Sequence, residues 1–193
     1  MARRVTVTEA GIDLDAVIKR VSLHQDHVVL EKNGMPIAGL MDIDAFEDYL
    51  ELQDPEVGRQ IHRSNEDFLG GRNRTSRSFA AELRREMRAR TNGRARARAR
   101  GDRDAMPHYE QQARRLLKAH PDFRAVQVRA FEILDADPQG RTGTHRIKQL
   151  MGIPPGAGQW RLSLGRFRFR YDIYSLMLVM QYCGLRPVAQ EKD

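Results

Sequence analysis

The chemistry available to this chain is concentrated in guanidinium groups set two residues apart. From Gln159 to Ile173 the sequence reads QWRLSLGRFRFRYDI, two short alternating runs hinged at Gly165. Successive side chains of a pleated strand point to opposite faces. Arg166, Arg168 and Arg170 therefore share one side, and Phe167, Phe169 and Tyr171 the other. The aromatic face is built to pack. The arginine face is suited to anions, because the planar guanidinium grips oxygens in pairs and keeps its charge at any physiological pH. The alternative at this level is an amphipathic strand whose arginines are only solvated. An apolar run, Leu176 to Met180, follows at once and ends in QYCGLR. It reads as a buried strand that delivers Arg186 beside the arginine strand.

The elements that must position these groups precede them. Tyr109 to Ala119 and Phe123 to Leu134 carry apolar residues at helical spacing and are separated by His120-Pro121-Asp122, the pattern of a helical hairpin. Three strands then follow, so the C-terminal half reads α-α-β-β-β. No convincing strand precedes the first of these helices.

The C-terminal half resembles RelE/ParE-type toxins. Trp160-Arg161-Leu162, Gly165, Phe167-Arg168 and Tyr171 are similar to that family's YR-x-R-x-G-x-YR-x-x-Y signature, and Asp137-Pro138 and Lys148-Gln149-Leu150-Met151-Gly152 to its upstream DP and kkLxG elements. The resemblance spans roughly Tyr109 to Val188. It implies a helical hairpin packed on an antiparallel sheet, an RNA or ribosome target in RelE-like members, and gyrase in ParE-like ones. Ribonuclease members drive a 2′-hydroxyl onto the adjacent phosphate, which requires charge stabilisation and the handling of two protons. By position Arg168 and Arg186, with Arg161 nearby, are the candidate catalytic residues, expected to meet on the exposed face of the strands in one concavity. The sequence departs from the family where Ser163 replaces an arginine. It departs again at its end, Leu185-Arg186-Pro187-Val188-Ala189-Gln190, which lacks the family's C-terminal tyrosine. His145 and Tyr182 are substitutes only if the fold brings them close, so weak or absent mRNA cleavage is expected.

The N-terminal half is organised differently. Arg4 to Thr8 alternates as a short strand. Thr8 or Asp13 is placed to cap a helix through Leu14, Val17 and Val21, and two β-rich runs, His27 to Glu31 and Pro36 to Met41, flank Asn33-Gly34, a turn dipeptide that tolerates positive φ. Asp42 caps a further helix with an Ile43, Phe46, Tyr49, Leu50 stripe between acidic residues. The order β-α-β-β-α, with VTVTEA at the start and VLEKNGMPIAGL in the middle, resembles the Phd/YefM antitoxins. The resemblance implies a homodimer built through this sheet and bound to operator DNA by a basic edge, for which Arg3, Arg4, Lys19 and Arg20 are the candidates. It also implies a toxin-binding arm next in the chain. There Val57, Ile61, Phe68, Leu69, Phe79 and Leu83 are spaced apolar anchors in a polar segment that cannot bury its own stripe.

Charge follows the same division. Residues 1–87 hold 12 Lys and Arg against 16 Asp and Glu, residues 88–105 hold 7 against 2, and residues 106–193 hold 14 against 8. An acidic half joined to a basic half suits internal complementarity and a polyanionic partner for the basic part. The expected domains are 1–53 for dimerisation and DNA binding, 54–88 for the helical arm, 89–105 for an arginine-rich linker and 106–193 for the toxin-like domain. The fold class is α+β. Cys183 is the one cysteine. No intramolecular disulfide is possible, the thiol is expected in the core, and the cytoplasm is the expected compartment. MARRVTVTEA has no apolar signal region and no stretch is long enough to span a bilayer. No Gly-rich phosphate loop, Cys/His metal spacing or Ser/His/Asp set is present, so neither cofactor nor metal is expected.

Together these readings give a single-chain toxin–antitoxin fusion in which the arm masks the toxin half in cis or in trans. The alternatives are a transcriptional regulator with a degenerate, non-toxic RelE-like half, a ParE-like gyrase inhibitor, and a nuclease carrying a dimerisation module.

Overall fold

A computed structural model describes residues 3–24, 27–72, 81, 82, 84, 85, 107–175 and 177–187. The arginine-rich linker at 89–105 and the anchors Phe79 and Leu83 lie outside them. The chain divides into two compact units, residues 1–53 and 54–193, and among the described residues both mix helices with a sheet. Among the described residues no helix is long and apolar enough to cross a membrane.

In the first unit β1 (Arg3–Thr6), α1 (Val7–Ile12), α2 (Leu14–His24), β2 (Val28–Lys32), β3 (Met35–Leu40) and α3 (Ile43–Gln53) follow one another. The sheet order is β1-β2-β3, with β1 parallel to β2 and β2 antiparallel to β3. The first strand is shorter than its alternation predicts, and an additional helix follows it. The cause is a capping box: Glu9 N–H donates to Thr6 Oγ1 at 3.2 Å and Thr6 N–H donates to the Glu9 carboxylate at 2.9 Å, which turns Val7 and Thr8 into helix. Asp13 then caps α2, accepting from Ala16 N–H at 3.0 Å. At the hairpin Asn33 and Gly34 have φ of 54° and 77°, the two positive values that a twisted two-residue turn needs. Val17 and Val21 of α2 close on Val28, with Val5, Leu30 and Leu40 beside them.

Helix α3 reverses the usual polarity. Asp42 caps it, accepting from Ala45 N–H at 2.9 Å. Its acidic residues Asp44, Glu47, Asp48 and Glu51 are buried, whereas Ile43, Phe46 and Tyr49 of the apolar stripe are exposed. None of the four carboxylates is without a partner, as burial of charge demands.

The second unit runs α4 (Pro55–Leu69), α5 (His108–Ala119), α6 (Phe123–Ala136), β4 (Arg146–Gln149), β5 (Trp160–Leu164), β6 (Phe167–Tyr174) and β7 (Met177–Leu185). The four strands form an antiparallel meander, β4-β5-β6-β7. Where the sequence predicts three strands the sheet has a fourth, β4, which pairs Arg146 with Ser163 and Gln149 with Trp160. One face of the sheet packs on the helical hairpin. Leu162, Phe167, Phe169, Tyr171, Met180 and Cys183 meet Tyr109 and Ala113 of α5 and Phe123, Phe131 and Leu134 of α6. The Phe123 ring lies 5.1 Å from Phe167 and 5.8 Å from Phe169. Burial pushes the Cys183 thiol and the Tyr109 phenol up from their ordinary values, so Cys183 is a core residue without thiolate chemistry.

Helix α4 belongs to this unit. Asp54 starts it, accepting from Glu56 N–H at 2.8 Å, with Pro55 in the first turn and Gly70 closing the end. Val57, Ile61 and Ser64 share its buried side, and the helix packs on β7 and α5.

Candidate nucleic-acid interface

The strand pairing decides which side chains share the face opposite the aromatic core. Lys148, Arg161, Arg170 and Tyr182 are successive cross-strand partners, and Arg146, Ser163, Arg168 and Gly184 form the next row. Five cations thus stand on one sheet face. Arg146 and Lys148 were absent from the expected site. They come from β4, whose four residues are too few to show an alternation, although their spacing of two is the signal that could have found them.

That face is not open. Arg161, Arg168 and Arg170 are 2%, 0% and 1% exposed, which corrects the expectation of arginines presented to a ligand in an uncovered concavity. Helix α4 supplies part of the cover. Its Val57 and Ile61 pack on the Tyr182 ring, and the Phe68 ring stacks on Tyr174 with centroids 4.7 Å apart. Leu69, expected among the anchors, is 74% exposed and contributes no burial. Polar contacts complete the seat. Tyr174 and Gln181 donate to Asn65 Oδ1 at 3.4 and 3.5 Å, and Asp67 Oδ2 accepts from His108 N–H at 2.5 Å. The last bond caps α5, whose own N-cap, Pro107, has no side-chain donor or acceptor to offer.

The arginines are not equivalent. Arg170 Nε donates to Gly158 O at 2.6 Å and its terminal nitrogen to Ala157 O at 2.9 Å. Asp172, also buried, accepts from Gly158 N–H, Gln159 N–H and the Gln181 amide at 2.9–3.0 Å. Arg170 and Asp172 therefore staple the Gly156–Gly158 loop to the sheet. Gly158 has φ of +67°, and a Cβ there would press within 3.0 Å of Arg170 Cβ. Arg166 turns to Asp122 at the start of α6, meeting both carboxylate oxygens at 3.0 Å. Arg186 extends the β6–β7 ladder by one step, its N–H donating to Arg166 O at 2.8 Å, and is half-buried at the same end of the face as Arg168. Thus pairing brings Arg161, Arg168 and Arg186 onto neighbouring strands, joined by Arg146 and Lys148.

The Asp137-Pro138 element is structural. Asp137 accepts from Arg141 N–H and from the N–H and hydroxyl of Thr142 at 2.7–2.9 Å. The Thr142 bonds are the main cause that holds its carboxyl below the ordinary value. Tyr171 donates to Pro138 O at 2.6 Å, and burial raises its phenol above the ordinary value.

No protein-family description and no characterised protein sequence matches this chain. Among solved structures, part of it is similar to the toxin–antitoxin complex RelBE2 from Mycobacterium tuberculosis. The likeness is 26% identical over 43% of this chain and 95% of that chain, with a TM-score of 0.33. At that score it fixes no correspondence between individual elements or residues.

In the first unit Arg4 is solvent-facing and sits 3.5 Å from Glu31. Lys19 is exposed and Arg20 half-buried on α2. The Arg3 side chain is outside the described atoms. Exposed apolar side chains are numerous on this unit: Leu14, Ile18, Leu23, Met35 and Ile37 among them.

Proposed function

We propose that this chain joins a toxin-like, RNA-acting unit to its own inhibitor, with α4 as the inhibitory element, and that residues 1–53 are a dimerising operator-binding module. The observation that carries the reading is the placement of α4. An amphipathic helix lies on β7, at the side of a sheet face bearing five cations, and its anchors close on that face's own Tyr182. A face of arginines and lysines at strand spacing is suited to successive phosphates. The partial cover of that face by a helix from the same chain is suited to inhibition in cis. The sequence resemblances to Phd/YefM and RelE/ParE proteins agree with this assignment of roles. The exposed apolar side chains of the first unit suit a second copy of the chain, and Arg4 and Lys19 suit DNA phosphates. The cytoplasm is the compartment where RNA, operator and inhibitor are all present.

The test is expression of the full chain with Ile61→Asp, which places a charge in the apolar seat of α4. Growth arrest accompanied by RNA cleavage is expected, with none from the parent chain. Arrest with DNA damage instead would indicate a gyrase target, and no arrest from a variant shown to be folded would remove the toxin reading.

A further inference from the structure

Gly184 stands opposite Arg168 and offers no side chain; Tyr182 fills the space. A Cβ built on Gly184 would collide with the Tyr182 hydroxyl and lie 2.6 Å from Cζ and 3.1 Å from Cε1. The phenol therefore leans along β7 toward Gly184 instead of standing beside its own cross-strand partner, Arg170. Its hydroxyl lies over the row that contains Arg168. Neighbouring strands are about 4.8 Å apart, so this hydroxyl is one strand spacing from the Arg168 position. On the other side of Arg168, across β5, is Ser163, whose Oγ is buried with no hydrogen-bond partner. Ser163, Arg168 and the Tyr182 hydroxyl thus belong to one row across three strands.

Resting on the RNA-acting reading above, we infer that Tyr182 is the general acid of this face. In the step this implies, the 2′-oxygen of RNA bonds to the adjacent phosphorus and its proton passes to solvent water. The bond from phosphorus to the 5′-oxygen breaks, and the departing oxygen takes the Tyr182 proton. The products are a 2′,3′-cyclic phosphate and a 5′-hydroxyl, and water reprotonates the phenolate. Arg168 balances the charge on the phosphoryl oxygens, and Ser163 Oγ is placed to donate to one of them. A phenol is suited to the role because its ordinary pKa near 10 keeps it protonated at neutral pH. The Tyr182 ring is also the surface on which Val57 and Ile61 close. Seating of α4 and access of RNA to the acid therefore exclude one another.

The test uses the full chain with a protease site inserted between Gly70 and Gly71, both exposed, folded intact, then cut and diluted to release α4. Two short RNA substrates are compared, one ordinary and one with sulfur in place of the bridging 5′-oxygen, a leaving group that needs no proton. Tyr182→Phe keeps the ring and hence the seat of α4. It is expected to lower kcat on ordinary RNA about 100-fold or more, the usual scale of general acid catalysis, with KM little changed and with the sulfur substrate cleaved at close to the parent rate. Gly184→Ala, which moves the hydroxyl off the row, should lower kcat in the same direction. Equal rates for parent and Tyr182→Phe, or a deficit that sulfur does not rescue, would overturn the role of Tyr182 and leave the nuclease reading standing. Cleavage of neither substrate by the released parent would overturn both.

Discussion

Arg168 and Arg170 occupy the same face of one strand, and the proposed function gives them different roles. Arg170 is spent on two loop carbonyls, and Asp172 beside it holds the same loop by three accepted bonds. Replacing Asp172 with Asn converts a charged acceptor into a neutral one beneath buried donors. Hydrogen bonds to charged groups contribute about 1.5–3 kcal/mol each, and a loss of about 2–4 kcal/mol in unfolding free energy is expected, measured by denaturant titration. Arg168→Ala, in contrast, should show its main effect in RNA affinity once α4 is released. A drop of about tenfold or more is expected, together with a shallower dependence on salt, as removal of a phosphate contact requires. The aromatic and arginine faces were legible from spacing alone, since Phe167, Phe169 and Tyr171 pack where the alternation places them. The burial of the arginines was not. The residues that cover this face come from far along the chain, with Asn65 bonded to Tyr174 and Gln181 across 109 and 116 residues, and no local pattern encodes that meeting.

Among the elements, α4 is the piece on which the proposed function turns. The spacing of Val57, Ile61 and Phe68 was readable as an amphipathic stripe, and only the resemblance to the antitoxins, not the spacing, implied what it would pack against; the exposure of Leu69 was not readable. Large-to-small changes at buried positions cost about 2–5 kcal/mol for Ile→Ala. Ile61→Ala is therefore expected to lower stability within that range, and Leu69→Ala to change it by less than about 0.5 kcal/mol. Thermal and denaturant unfolding of the two variants side by side checks the contrast. The contact of α4 with α5 should also respond to acid. Burial first, and then Arg63 with Arg115, lower the His108 pKa below its ordinary 6.5, against the opposing pull of Asp67 and Glu56. The folded protein then binds fewer protons than the unfolded chain, so stability rises with pH across the window below about 6.5 and falls as acid is added. His108→Gln should flatten that slope between pH 7 and 5, measured as unfolding midpoint against pH. The hairpin at Asn33-Gly34 and the caps at Asp13 and Asp42 were local signals, and they appear in the fold. Strand β4 escaped because four residues carry too little pattern. The reversed burial of α3 escaped because amphipathic spacing identifies a stripe without saying which side is covered.

For the whole molecule, the proposed duties of the two units are separate, and each is tested in the full chain. The full chain is expected to self-associate through the exposed apolar side chains of residues 1–53. Ile37→Asp should shift its sedimentation toward a single copy, because a charge at a desolvated contact is costly. Arg4→Ala combined with Lys19→Ala should weaken binding to the chain's own promoter DNA and flatten its salt dependence. The central claim is that α4 silences the cationic face in cis. The most direct measurement is the affinity of the full chain for a short single-stranded RNA, taken before and after cleavage at a site inserted between Gly70 and Gly71 and dilution to release α4. Little binding by the intact chain is expected, and strong, salt-sensitive binding once α4 has left, lost again in Arg168→Ala. Equal RNA affinity before and after release would contradict it.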